Sequence, residues 1–306
     1  MSRGLWIFVC LLGLATVGAA QETRPPVYFN HLSITVPEGT FKALAATPFL
    51  CGEFAGCEQR TTVVDGGMES YSGIYLYGEK TYIEFVLASG ADAAGDIGLG
   101  MSVDDRAAMP ELQDFLQRQL KVPVKLEKRT RHVGAADVDW FDYLYADWLA
   151  GDELSLWVMA YYPDYFTAIH AESTATTREN NLAQLYRHDL YLKNVKRLVL
   201  WNTQSRIDAV SGLLLSLGWD LYADGKVVTF RGAGMEIIFV PVKANEPSRL
   251  EIDFDLNRKY AGALEYRFPD DSELVFASHI ARWTFPAPPK PGKAPPVEVP
   301  EKTSKK

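Results

Sequence analysis

Cysteine is scarce in this 306-residue chain: Cys10, Cys51 and Cys57 are the full set, and histidine occurs only five times. The sequence has no GxSxG, no GxxxxGK[ST], no HExxH and no CxxC. These absences argue against the usual hydrolase, nucleotide-dependent and zinc-protease readings. Basic runs are missing ahead of the C-terminal tail and the formal net charge is −8. That balance excludes a nucleic-acid backbone as the natural partner. Long apolar runs are also few. The clearest, Leu5–Val17, follows Arg3 and precedes the small residues Gly18, Ala19 and Ala20. It falls short of the ~20 apolar residues of a membrane span and reads as a secretory signal over residues 1–20. Secretion, or release into a bacterial periplasm, is therefore expected, with no integral span after cleavage.

Cys10 leaves with the leader, so the mature chain keeps Cys51 and Cys57, which read as a candidate disulfide in an oxidising compartment. Two free thiols at a helix end are the alternative. What the chain has in abundance is hydrophobic residues, 47%, ample for packed cores, and a length suited to two domains.

Alternating apolar and polar positions predict most of the structure as strands. Val27–Val36, a helix opening at Pro37–Thr40, Glu58–Val64, Tyr71–Tyr77 and Thr81–Ala88 form one strand–helix–strand–strand–strand unit. The order recurs with Ile97–Val103, a helix over Arg106–Leu120, Val122–Thr130, Val138–Ala146 and Leu154–Tyr162. It recurs again with Val195–Trp201, a helix over Gln204–Leu217, Trp219–Ala223, Val227–Arg231 and Met235–Val240. A reduced fourth unit holds Arg249–Leu256, a short helix at Asn257–Ala263, Leu264–Phe268 and Glu273–Phe285. The fold class expected is α+β with tandem βαβββ units. The domain limits are 21–170 and 193–285, joined over 171–192 by a linker helix (Ser173–Arg187). From Pro286 to Lys306 the Pro- and Lys-rich tail carries too little apolar surface to order itself.

The order and spacing of FNHLSITVP (Phe29–Pro37), TYIEF (Thr81–Phe85) and the stretch Leu198–Val242 resemble the vicinal oxygen chelate superfamily, the glyoxalase and extradiol-dioxygenase fold. FNHLSITVP with SGIYLYGEKTYIEF is also similar to a bacterial family of secreted or envelope proteins. The resemblance implies two glyoxalase-like domains, each a curved sheet around a cleft. It places His31 and Glu84 at ligand positions for a divalent first-row metal, zinc, iron, manganese or nickel. The second unit departs from that pattern: Gly98 or Leu99 stands where a histidine is wanted, and Leu154–Tyr162 holds no acid.

His31 and Glu84 are thus the candidate catalytic and metal-ligating residues. Their other reading is a hydrogen-bonded pair in a cleft. Phe29, Tyr71, Tyr75, Tyr77 and Tyr82 are the candidate substrate-binding residues, because Tyr combines flat apolar area with a polar edge. A weaker set, Glu251, Asp253, Asp255, Arg197, Glu236 and His279, occupies the second half, where salt bridges with Arg197 and Arg231 are the plainer expectation. The function expected is small-molecule binding in an aromatic cleft of the first domain. Alternatives are a metal-dependent lyase, isomerase or dioxygenase using His31 and Glu84, and a non-catalytic envelope interaction protein.

Overall fold

Among the described residues, alternation carries the chain into sixteen strands, and helical stripes supply the helices that cover them. In the computed structural model the described residues are 24–286, without 90–93, 147–152, 245, 247, 262–264 and 270–271. The leader expected over residues 1–20, and all of the expected tail but Pro286, lie outside the described residues. No helix among the described residues is long and apolar enough to cross a membrane.

The first unit is β1 (Tyr28–Val36), α1 (Glu38–Ala45), β2 (Gly56–Val64), β3 (Glu69–Tyr77) and β4 (Tyr82–Leu87). The second is β5 (Ile97–Ser102), α2 (Met109–Leu120), β6 (Val124–Val133), β7 (Ala136–Ala146) and β8 (Leu154–Tyr161). Two short helices, α3 (Pro163–Ala168) and α4 (Arg178–Leu182), lead to the third unit. This comprises β9 (Leu192–Thr203), α5 (Gln204–Ser216), β10 (Asp220–Asp224), β11 (Val227–Gly232) and β12 (Met235–Val242). The last strands are β13 (Arg249–Leu256), β14 (Glu265–Arg267), β15 (Glu273–Ala277) and β16 (Ile280–Phe285). The helices follow their stripes: α5 buries Ile207, Val210, Leu213 and Leu214, and Gly218 (φ 91) supplies the left-handed residue that ends it.

The tandem βαβββ architecture is present, and its first pair of units closes completely. Strand order is β1-β4-β3-β2-β6-β7-β8-β5 in a barrel. Within each unit the first and last strands run parallel, β1 with β4 and β5 with β8. The units meet antiparallel at β1 and β5 and again at β2 and β6, where the ladder is the single pair Val64↔Arg131. Asp65 reinforces that seam by accepting from the Thr130 amide at 2.9 Å and pairing with Arg129 at 2.8 Å. The second pair forms an open eight-stranded sheet, β10-β11-β12-β9-β13-β16-β15-β14.

One apolar core joins the barrel to the open sheet. Phe85 of β4 packs on Trp283 of β16 with ring centroids 5.1 Å apart, and Phe54 meets Phe254 of β13 at 5.6 Å. Cys51 and Cys57 are disulfide-bonded, with Cα atoms 4.9 Å apart.

Three expectations are corrected. The linker is helical only over Arg178–Leu182, not Ser173–Arg187, because Asn and Thr side chains there bond the backbone in its place. Asn180 Nδ2 donates to Ser173 O and Ala175 O, and Thr177 Oγ1 caps α4. In the fourth unit, residues 257–261 are not helical, and 262–264 lie outside the described residues. Asn257 is tied sideways, its amide to Tyr191 O and its Nδ2 to Leu190 O and Leu192 O, which leaves no helical ladder to start. The stretch Glu273–Phe285 is a hairpin rather than one strand. Ser278 (φ 58) turns the chain, so His279 sits in the turn.

Candidate functional site

The barrel lumen is where the sequence-predicted residues are tested against geometry. On β1, regular alternation would put Phe29 and His31 on one face. The pairing of β1 with β5 is irregular between these two residues, and they part company. Phe29, 2% exposed, joins the main apolar core, whereas His31, 4% exposed, enters the lumen. The irregularity therefore removes Phe29 from the candidate binding residues.

His31 is held on three sides. Its ring stacks on Tyr82 at 4.5 Å and meets the edge of Trp157 at 5.4 Å. Its Nδ1 lies 2.9 Å from Asn30 Oδ1, while Asn30 Nδ2 donates to Ser102 Oγ at 3.2 Å. With the amide so oriented, Nδ1 carries the proton and Nε2 keeps its lone pair. Burial lowers the His31 pKa to about 3, so the ring is neutral at any physiological pH.

Glu84 lies two residues beyond Tyr82 on β4, which pairs with His31 of β1, and is 6% exposed. Burial raises its pKa, opposed by hydrogen bonds from Tyr75 and Tyr71 and by the charges of Arg60 and Arg131. Its Oε1 is buried without a hydrogen-bond partner. The bonded pair entertained from sequence does not form: His31 Nδ1 meets Asn30, and Glu84 Oε1 has no hydrogen-bond partner.

The other candidates divide. Tyr71 and Tyr82 line the same cavity as His31 and Glu84, a space of about 210 Å³. Tyr77 lines a second cavity of about 160 Å³, beyond a wall formed by Tyr82 and Trp140, which border both. There its hydroxyl bonds Arg60 and Glu58, at 2.8 and 2.9 Å. Tyr75 lines neither cavity. Its hydroxyl meets Thr62 at 3.2 Å, and the Arg60 guanidinium lies 3.7 Å above its ring.

The second unit supplies the rest of the lumen. Trp140, Phe141 and Tyr143 of β7, Trp157 and Met159 of β8, and Arg129 of β6 all line the 210 Å³ cavity. Alternation along β7 groups Phe141 with Tyr143, but not Trp140. The β6–β7 register shifts so that Arg129 pairs with Phe141 and Thr130 with Asp139, leaving Trp140 as an extra residue bulged inward. No pattern in the sequence announces that bulge. The aromatic content of β7 and β8 is the signal that points to this wall.

Gly98 and Gly100 explain the missing second-unit ligands. A Cβ on Gly100 would sit 2.2 Å from His31 Cε1, and one on Gly98 2.6 Å from the Trp157 ring. These glycines admit rings from elsewhere instead of offering side chains of their own. Gly100→Ala is accordingly expected to displace His31 and cost about 2 kcal/mol, the scale of overpacking a filled core. Gly212→Ala on α5, with nothing within 4 Å, is the matched control. Equal urea midpoints for the two variants would refute this account of Gly100.

Among the described residues no group of three or more His, Cys, Asp or Glu is placed to hold a metal ion. His31 and Glu84 bring one nitrogen and one carboxyl, fewer protein donors than a divalent first-row metal takes, so the donor set does not fit such a metal.

In the open sheet, Asp253 is bound by Arg197 and by Arg282 (2.6 Å), Arg231 pairs with Glu236 at 2.7 Å, and Lys196 with Asp255 at 2.9 Å. These residues form a salt-bridge network on one face.

Comparison with known proteins adds the following. The model described as "Family of unknown function (DUF5829)" matches residues 29–285. No curated protein sequence matches. Among solved structures, the chain is similar to a hypothetical protein from Staphylococcus aureus, with 12% identity over 72% of this chain and 94% of that one and a TM-score of 0.46. It is similar to a catechol 2,3-dioxygenase with 11% identity, coverages of 86% and 90%, and a TM-score of 0.41. A mutant 4-hydroxymandelate synthase from Streptomyces coelicolor gives 10% identity, coverages of 71% and 63%, and a TM-score of 0.37.

Proposed function

For a chain that belongs to the family of unknown function DUF5829, we propose small-molecule binding in the barrel lumen, on a tandem βαβββ scaffold of the vicinal oxygen chelate kind. The observation that carries this reading is Glu84 Oε1, an acceptor buried without a partner in a cavity of about 210 Å³ walled by aromatic rings. An unmet polar atom beside apolar walls is the combination that orients a ligand, since the walls supply area and the atom supplies register. The cavity is below the ~300 Å³ at which drug-sized pockets begin, which favours a metabolite-sized ligand. The leader-like residues 1–20, together with the Cys51–Cys57 disulfide, support a site of action outside the cytoplasm. The limits 21–170 and 193–285 are proposed for the binding and supporting domains.

The test is a screen of aromatic and polar metabolites against the full chain. It reads melting temperature together with intrinsic tryptophan fluorescence, to which the lumen residues Trp140 and Trp157 contribute. A lumen ligand is expected to raise the first, because it binds only the folded state, and to change the second. Tyr143→Ala and Trp157→Ala are each expected to weaken such a ligand by tenfold or more. Hits whose affinity survives both substitutions would place binding elsewhere and end the lumen reading.

A further inference from the structure

We propose that the ligand of this lumen is a small organic cation, a quaternary ammonium or protonated amine caged by the aromatic walls and seated on the Glu84 carboxylate. The proposal rests on the lumen-binding reading and specifies its chemistry.

The charges around the cavity point one way. His31 is neutral, with Nδ1 turned to Asn30 and Nε2 left as an acceptor. Arg129, the cation on the cavity wall, is answered by two acids, Glu69 at 2.6 Å and Asp65 at 2.8 Å. Glu84 is the buried acid, and no cation is hydrogen-bonded to it. Arg60 and Arg131 act on Glu84 from a distance, and both line the second cavity rather than the first. They help Glu84 ionise without occupying Oε1. With Glu84 ionised, the two acids lining the 210 Å³ cavity, Glu69 and Glu84, outnumber its one arginine, Arg129, and one carboxylate oxygen is unmet.

The walls suit the same ligand. Aromatic faces attract cations, most strongly where water is excluded. This barrel already uses its rings that way: Arg131 lies 5.3 Å from the Trp140 ring centroid and Arg129 5.9 Å from that of Tyr143. Inside, Tyr82, Trp140, Tyr143 and Trp157 are lining rings around Glu84. A neutral ligand would leave the carboxylate charge uncompensated inside the cavity. An anion would meet it directly.

The experiment compares charged probes with their neutral carbon isosteres on the full chain: choline with 3,3-dimethylbutan-1-ol, and phenyltrimethylammonium with tert-butylbenzene. Each cation is expected to bind at least tenfold more tightly than its isostere. That preference should fall below threefold in Glu84→Gln, once its melting curve shows a folded protein. If Glu84→Gln does not fold, the wild-type preference measured from about pH 8 to 5 replaces it and should shrink as Glu84 takes up a proton. The groups facing Glu84 are Tyr71 and Tyr75 from β3, Arg60 from β2, Arg131 from β6, Tyr161 from β8, His31 from β1 and Tyr82 of its own strand, with the Glu69–Arg129 pair on the cavity wall. The arginines keep their protons, the tyrosines are shifted upward by burial, and His31 titrates far lower, so none of these mimics that change. The same pH series on Glu69→Gln, expected to match the parent, separates the remaining acid. Isosteres that bind as well as the cations would overturn the cation inference and leave the lumen reading intact. A tenfold preference that survives Glu84→Gln would overturn it as well. Failure of all four probes also overturns it, with the lumen reading then decided by the wider metabolite screen.

Discussion

Lowering the pH from 7 to about 3 is expected to cost the protein of order 4 kcal/mol through His31 alone, and His31→Gln to abolish that share of the loss. The sign follows from linkage. In the unfolded chain the imidazole binds a proton near pH 6.5, whereas in the folded barrel burial delays protonation to about pH 3. Between these values the unfolded state holds more protons, so stability is full above pH 6.5 and drains away as the pH falls towards 3. Each unit of separation is worth about 1.4 kcal/mol. Glu84 acts in the opposite sense: its folded pKa is raised, so its protonation in mild acid favours the folded state. Comparing urea midpoints of parent and His31→Gln at pH 7 and pH 4, at constant m-value, isolates the histidine. A variant that loses as much stability as the parent on acidification would show that His31 is not buried neutral.

Trp283→Ala should destabilise the whole chain by about 3–5 kcal/mol, the range for emptying a large aromatic site, and should do so without separating the barrel from the open sheet. Trp283 is fully buried. Its ring lies 5.1 Å from Phe85, 5.2 Å from Phe268 and 5.3 Å from Phe285. Phe85 belongs to the barrel and the other two follow β13, so the indole touches both halves of one core. The consequence is a single unfolding transition, seen at one midpoint by far-UV circular dichroism and by the fluorescence of the lumen residues Trp140 and Trp157. Trp283→Phe should cost less, because the indole Nε1 is itself buried without a partner and its removal relieves that penalty. Two resolved transitions in the parent, or a loss below about 1 kcal/mol in Trp283→Ala, would contradict a shared core.

Much of this molecule was legible in its alternation. The strands of the first three units, and the apolar stripes of α2 and α5, follow from periods of 2.0 and 3.6 residues, which depend on local geometry alone. The same alternation singled out His31, Tyr71, Tyr82 and Glu84, which line one cavity. The misses share a cause. Phe29 looked like a neighbour of His31 until the irregularity of β1 against β5 turned it into the core, and Trp140, noted among the aromatics of the second unit, is not among the candidate binding residues because only a bulge aims it inward. A bulge is a property of two paired strands, invisible in either one. Gly98 or Leu99 reads as the place of an absent ligand, yet Gly98 receives the Trp157 ring, and Gly100 two residues on receives His31. The Cys51–Cys57 bond depended on a 4.9 Å Cα separation that a spacing of six residues permits but does not impose. The absent helix after β13 likewise reflects Asn257 bonding to a segment more than sixty residues away.

For the ligand proposed for the lumen, the β2–β6 seam bears on the rate of entry. A barrel sealed along its whole length admits a guest only through its ends. Here one rung, Val64↔Arg131, and the grip of Asp65 on Thr130 and Arg129 close the side. Opening one rung is a local fluctuation, far smaller than unfolding. Residence time would then follow the lifetime of that seam, while affinity follows the walls, so a change at Asp65 should speed arrival and departure together and leave their ratio nearly untouched.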